Sequence, residues 1–188
     1  MQTMAKVRIV SDSTCDLSPE LKEKYDIKVI PLCIVMDDKS YFDMVDVTPL
    51  EIFDWADANK TTPKTAAAGI EEAINFLKPF QEAGEDVIYI GISEDMSTTC
   101  NVLRLAASEL EYDRVFVINS MNLSTGIGLQ VLRAAGMAAE GKSAEDIVEA
   151  ISEARTLVRA SFVVDNLTYL ARGGRCTAVT ALLANTLQ

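Results

Sequence analysis

The stretch Val87-Ile88-Tyr89-Ile90 decides the fold. Four consecutive apolar residues, β-branched or aromatic, are too few for a helix and leave neither face polar, which is the signature of a strand buried on both sides. Such strands belong in a parallel sheet with helices packed on each face. Working outward, Val7-Arg8-Ile9-Val10, Ile27-Lys28-Val29-Ile30, Val115-Phe116-Val117-Ile118 and Ser161-Phe162-Val163-Val164 also read as strands. Between them, Ile70, Ala73, Ile74, Leu77 and Phe80 share one helical face, as do Ile147, Ile151, Ala154 and Val158.

Helix start signals mark the same alternation. Thr48-Pro49-Leu50-Glu51 supplies an N-cap, a proline at the first helical position and the return arm of a capping box, and Ser18-Pro19 and Ser143-Ala144-Glu145-Asp146 repeat the theme. Gly84 and Gly141 sit where helices should end. The order of elements predicts an α/β fold, a mostly parallel sheet flanked by helices in a Rossmann-like three-layer sandwich. With no linker, repeat or low-complexity tract, residues 1–188 read as a single domain, residues 1–5 being a disordered start.

Composition narrows the function classes. A 49% hydrophobic content over 188 residues buries a sizeable core, and a net charge of −11 argues against nucleic acid as a partner. No 18-residue apolar run is present, so stable membrane insertion is not expected and the cytoplasm is the expected location. The chain contains no histidine, which removes Ser-His-Asp and Cys-His catalysis. Cys15, Cys33, Cys100 and Cys176 are scattered without C-x-x-C spacing and read as reduced thiols; no metal site is expected.

In an open parallel sheet, ligands lie beyond the carboxyl ends of the strands. Three such ends carry hydroxyls, acids and amides: Ser11-Asp12-Ser13-Thr14-Cys15-Asp16, the run from Ser93 through Ser97, Thr98 and Thr99 to Asn101, and Asn119-Ser120-Met121-Asn122. The first reads as an Asx turn closing a strand rather than a hard-metal site, which needs more oxygen ligands. The second reads either as a turn capped by Ser97 or Thr98, or as hydroxyls and free amides that receive a carboxylate or phosphate. Neither a G-x-G-x-x-G nor a Walker lysine motif is present. Asn59-Lys60-Thr61-Thr62-Pro63-Lys64-Thr65-Ala66-Ala67 reads as a hydroxyl-rich turn with solvated lysines, and Ile52, Phe53 and Trp55 as core residues of a helix. Near the C-terminus, Arg172-Gly173-Gly174-Arg175 combines two glycines with two arginines, which fits either a helix cap or a bend that aims a guanidinium at an anion.

These segments, in this order, resemble the DegV family of bacterial fatty-acid-binding proteins. The matching residues are Ser11-Asp12-Ser13-Thr14-Cys15-Asp16-Leu17, Val29-Ile30-Pro31-Leu32, Pro63-Lys64-Thr65, Ser93 with Met96-Ser97-Thr98-Thr99, and Leu170-Ala171-Arg172-Gly173-Gly174-Arg175. The resemblance implies a non-catalytic acyl carrier that holds a long-chain fatty acid in an apolar tunnel and presents its carboxylate to a fatty-acid kinase. It needs no cofactor beyond the bound lipid. On that basis Thr65, Ser93, Ser97, Thr98 and Thr99 would bind the carboxylate, while Ser11, Ser13, Arg172, Gly173, Gly174 and Arg175 would support the site or dock the partner.

Two departures stand out. Ala66-Ala67 occupies the family's Ser-Gln, and Thr98 its glycine. The resemblance also implies a second α/β domain, absent here, with residues 176–188 beginning the connection to it; a homodimer through the surface that domain would cover is a further expectation. Two other functions compete with lipid binding. One is a domain or enzyme that takes a small phosphorylated or carboxylated metabolite; the other is a degenerate interaction module.

Overall fold

Residues 5–164, 166–172 and 177 are described by the computed structural model of the chain. They divide into two compact units, Met1–Pro31 with Ala67–Ala160, and Leu32–Ala66 with Ser161–Gln188.

The first unit is built on four parallel strands, β1 (Val7–Asp12), β2 (Lys28–Ile30), β6 (Asp86–Gly91) and β7 (Val115–Asn119), ordered β2-β1-β6-β7. Successive residues of β6 alternate between two cores, as the pleat requires. Ile88 and Ile90 pack with Ile9, Ile118, Ile127, Val131, Ile147 and Ile151 on one face. Val87 and Tyr89 pack with Val10, Ala73, Leu77, Cys100, Leu103 and Ala106 on the other. Helices α5 (Thr125–Ala139) and α6 (Ala144–Ala154) therefore cover the first face, and α3 (Ile70–Glu82) and α4 (Thr99–Glu109) the second. This is the three-layer α/β arrangement expected of strands apolar on both sides.

The caps form as the residue types dictate. Ser18 accepts from Leu21 N at the start of α1 (Pro19–Lys24), and Ser143 accepts from Asp146 N at the start of α6. Gly84 and Gly141 follow their helices at φ 66° and 78°, a region that costs a glycine little. On α5, Gly128 has a different purpose, since a Cβ there would meet the carbonyl oxygen of Cys15 at 2.8 Å.

The second unit contains an antiparallel sheet, β3 (Cys33–Met36), β4 (Lys39–Phe42) and β5 (Lys64–Ala66), in the order β4-β3-β5, together with α2 (Pro49–Asn59) and α7 (Thr168–Arg172). The Thr48/Glu51 capping box starts α2 as expected. Its small core is Ile34, Met36 and Val47, with Tyr41, Ile52 and Trp55 packed against it; Trp55 Nε1 also donates to Asp37 Oδ2 at 2.8 Å.

Two sequence expectations are corrected here. The run Ser161-Phe162-Val163-Val164 is not a strand: it joins no sheet among the described residues, and Val163 is 98% exposed. Strand propensity without a hydrogen-bonding neighbour does not make a strand. The segment around Thr65 is not only a turn, because 64–66 pairs with β3 in the register Ile34↔Thr65. The strands of this sheet are three or four residues long and partly polar, too short for a period of two to stand out. Residues 1–4, 173–176 and 178–188, on which the disordered start, the glycine bend and the connection to a second domain were expected, lie outside the described residues.

At the amino end of the first sheet, Arg8 is nearly buried and grips Glu85 with two bonds, Nε to Oε2 at 2.9 Å and Nη2 to Oε1 at 3.0 Å. It also pairs with Asp26, which Lys28 meets at 3.0 Å. These cations hold both carboxyls below the ordinary carboxylate range: for Asp26 the Lys28 bond is the largest cause, and for Glu85 the Arg8 bond outweighs burial. Folded-state pKa values below the unfolded ones mean that this stability is complete above the unfolded carboxyl pKa, about 4, and is lost as pH falls through the folded values. Urea unfolding followed from neutral to acid pH should show that decline. Arg8→Met should lower stability at pH 7 by about 3 kcal/mol, because Glu85 loses both of its short bonds and keeps only the longer Lys6 contact at 3.8 Å, and should flatten the acid dependence.

Candidate functional site

The strand order β2-β1-β6-β7 places the topological switch point between β1 and β6, where the chain moves outward in opposite directions. The carboxyl ends of these two strands are Asp12 and the segment Gly91-Ile92-Ser93. Crevices that receive ligands open at this position in doubly wound sheets.

Here the crevice is closed at its base by one carboxylate. Asp12 is fully buried. Its Oδ1 accepts from Thr14 N at 3.0 Å and from the Thr14 hydroxyl, forming the Asx turn that the sequence indicated. Its Oδ2 accepts from the Tyr89 hydroxyl at 2.6 Å and from Ile92 N at 2.9 Å. Burial, reinforced by the Asp12 charge, pushes the Tyr89 pKa well above its usual value, so the phenol stays a donor. Tyr89 reaches Asp12 by folding back over Gly91, and a Cβ at Gly91 would collide with its ring. Ser11 is likewise fully buried and donates to Ile90 O at 2.7 Å, joining β1 to β6. Ser13 follows in a single 3-10 turn, Ser13–Cys15.

Above this base lies Ser93, 7% exposed. Its Oγ accepts from Asp95 N at 3.3 Å, which leaves the hydroxyl proton to donate elsewhere. Ser97 Oγ accepts from Thr99 N at 3.3 Å and lies 2.8 Å from Thr99 Oγ1. Thr98 is the N-cap residue of α4 but makes no side-chain cap bond, and it is exposed. Of the two capping candidates, Ser97 does the bonding. After β7, Asn119 Oδ1 accepts from Met121 N at 2.9 Å and from Glu94 N at 3.3 Å, so this amide ties the two loops together. The first unit thus brings Ser11, Ser13, Ser93, Ser97, Thr98 and Thr99 to one end of its sheet.

Thr65 belongs to the second unit. It is one wall of a cavity of about 430 Å³ whose lining also includes Ile34, Ile52, Phe53, Ala56, Pro63 and Tyr169, with Thr62 and Asp57 as its other polar members. Phe53 is 65% exposed, so the expectation of a core residue is corrected: it faces the cavity rather than the interior. The signal was present in the sequence, because Phe53, Ala56, Asp57 and Lys60 stand at i, i+3, i+4 and i+7, one face of α2. Arg172 ends α7 with its guanidinium 6.0 Å from the Tyr169 ring centroid, while Gly173, Gly174 and Arg175 lie outside the described residues.

Other chemistry is sparse among the described residues. No group of three or more metal-ligating side chains occurs, and no helix is long and apolar enough to cross a membrane. Cys15, Cys33 and Cys100 are free thiols; burial pushes Cys100 up to about 12 and also raises Cys15.

A parallel sheet with covered faces and polar strand ends at its switch point defines a doubly wound α/β protein. Within that class the chain belongs to the DegV family, whose model, described as an uncharacterised protein family, matches residues 6–188. A DegV domain-containing protein of Clostridium perfringens is 38% identical over 184 residues, which are 98% of this chain and 66% of that protein. A DegV family protein from Thermus thermophilus, described by its fatty acid binding, superposes with a TM-score of 0.84 at 31% identity over 97% of this chain and 65% of its own. DegV of Bacillus subtilis, described as a fatty acid binding protein, gives 0.85 at 28% identity over 98% and 66%. The chain therefore spans just under two thirds of the length of these relatives.

The Asp12 geometry generates a stability prediction. Asp12→Ala strands four donors at the centre of the fold and should cost about 3 kcal/mol or more, whereas Tyr89→Phe removes one of them and should cost about 1–2 kcal/mol. Gly91→Ala should fall nearer the first, since it displaces the ring as well. Chemical denaturation of the three variants tests the ranking.

Proposed function

We propose that this chain binds a long-chain fatty acid without transforming it, in the cytoplasm, and presents it to a fatty-acid kinase. The observation that carries the reading is the apolar cavity of the second unit, in a family whose solved members from Thermus thermophilus and Bacillus subtilis are described as binding fatty acid. Its volume falls within the range of about 300–1,000 Å³ typical of small-molecule sites. Ile34, Ile52, Phe53, Ala56 and Pro63 offer a methylene chain nothing but hydrocarbon, and each methylene withdrawn from water contributes about 0.8 kcal/mol. Tail burial supplies affinity and the head group supplies orientation.

The proposal assigns the head-group donors to Thr65 in the second unit and to Ser93, Ser97, Thr98 and Thr99 in the first. A carboxylate taken from water needs several donors at once, and hydrogen bonds to a charged group are the stronger kind. The bond between Ser97 and Thr99 spends only one of their two hydroxyl protons, so the other, together with the exposed Thr98, is available for donation from that turn. The element from Arg172 through Gly173 and Gly174 to Arg175 is assigned to supporting the site or docking the kinase. A carrier of this kind needs no general base, in keeping with 188 residues that contain no histidine.

Native mass spectrometry of the purified chain with added oleate should show a one-to-one complex; failure to bind oleate overturns the reading. Phe53→Asp puts a charge in the cavity wall and should weaken oleate binding more than tenfold while leaving the fold intact. Thr65→Val and Ser93→Ala should each lose about one charge-assisted hydrogen bond, 1.5–3 kcal/mol. An unchanged affinity removes the residue concerned from the site.

A further inference from the structure

At the amino end of its sheet, opposite the end that carries Asp12 and Ser93, the first unit holds a cavity of about 490 Å³. Tyr25 and the α5 residues Ala135, Ala138 and Ala139 give it an apolar wall. Its charged lining is Lys6, Arg8, Lys24 and Lys142 against one carboxylate, Asp26. In a chain of net charge −11, four cations around one cavity invert the sign of the local field.

We propose that this cavity binds a small phosphate ester, with the phosphate held by Lys24 and Lys142 and an apolar body lying against Tyr25 and the three alanines. The site is independent of the fatty-acid reading, since no residue assigned to that ligand lines it. Lys6, Arg8 and Lys28 already share the carboxylates of Asp26 and Glu85. Lys24 and Lys142 are in no ion pair among the described residues, so their charge is unanswered. Two such ammonium groups on one cavity suit a phosphate dianion better than a single carboxylate. Helix ends alone attract cations, Lys24 to α1 and Lys142 to α5, but they do not supply a cavity with an apolar wall.

The local structure brings charge and apolar surface together. Lys24 Nζ lies 5.0 Å from the centroid of the Tyr25 ring, so both are within the span of one small molecule. After α5 the chain turns at Gly141, whose amide bonds to Ala138 O at 3.0 Å, and Lys142 N bonds to Met137 O at 3.1 Å. The backbone that carries Lys142 is thereby tied to the helix end that carries Ala138 and Ala139. Ala135, Ala138 and Ala139 stand at i, i+3 and i+4 on α5, one face, and their methyl groups leave the space in front of them unfilled. The volume falls within the range of about 300–1,000 Å³ typical of small-molecule sites.

The test titrates phenyl phosphate into the full chain by calorimetry. Wild type should bind one equivalent, more weakly as salt rises, and the double variant Lys24→Gln/Lys142→Gln should lose about tenfold in affinity together with that salt dependence. Ala139→Leu fills the cavity from an exposed helix position and should also lose about tenfold, with the salt dependence kept. Lys24 and Lys142 are exposed as well, so urea unfolding of both variants should match that of wild type. A wild type that does not bind phenyl phosphate overturns the inference, as does a double variant that binds it with wild-type affinity. Unchanged affinity in Ala139→Leu overturns it too, and so does a loss that tracks a lowered urea midpoint, because the effect then lies in the fold.

Discussion

The carboxylate of Asp12 is the constraint on which the first unit depends. It sits at the end of β1 and accepts four hydrogen bonds, two from the turn that follows its own strand and two from the neighbouring strand and its exit. One of these donors, Tyr89, is also a core residue of the layer beneath α3 and α4. A single buried group therefore fixes the register of two strands at their carboxyl ends, the direction of the chain leaving each, and the position of an aromatic ring in the packing. A carboxylate in this setting is tolerated because every lone pair direction is used. Ser93 owes its place to it, being the residue directly after the amide that Asp12 holds.

Much of the first unit was legible in the sequence because its signals are long and redundant. Val87 through Ile90 announced a covered strand, and Ile147 and Ile151 a buried helix face, and each occupies the place so indicated. Thr48, Glu51, Gly84 and Gly141 acted as local chemistry requires. In the second unit the start of α2 was legible but the sheet was not, since strands of three or four residues such as Lys64–Ala66 carry too few alternations to distinguish from a turn. Phe162 and Val163 show the opposite error, strong strand propensity with no partner to realise it.

The candidate site divides in the same way. Hydroxyls at strand ends could be picked out from Ser93 and Ser97 because a parallel sheet says where to look. Which of those hydroxyls are spent internally depended on distances, and the Ser11 proton proved to be spent on Ile90 O. The cavity walls escaped notice for a different reason: Ile34, Phe53 and Tyr169 come from three elements, and no pattern along the chain joins them.

The distance along the chain between those walls affects how the protein comes into being. The walls contributed by β3, β5 and α2 are complete by Thr65, but the wall supplied by Tyr169 is made long afterwards, once all of the first unit has been synthesised. A growing chain thus has an open hydrocarbon surface on α2 before it has a cavity. Any molecule that filled the cavity would bind only the finished fold, so its binding and late folding would be thermodynamically linked: it would stabilise the position of α7 and add nothing to a chain that stops short of it.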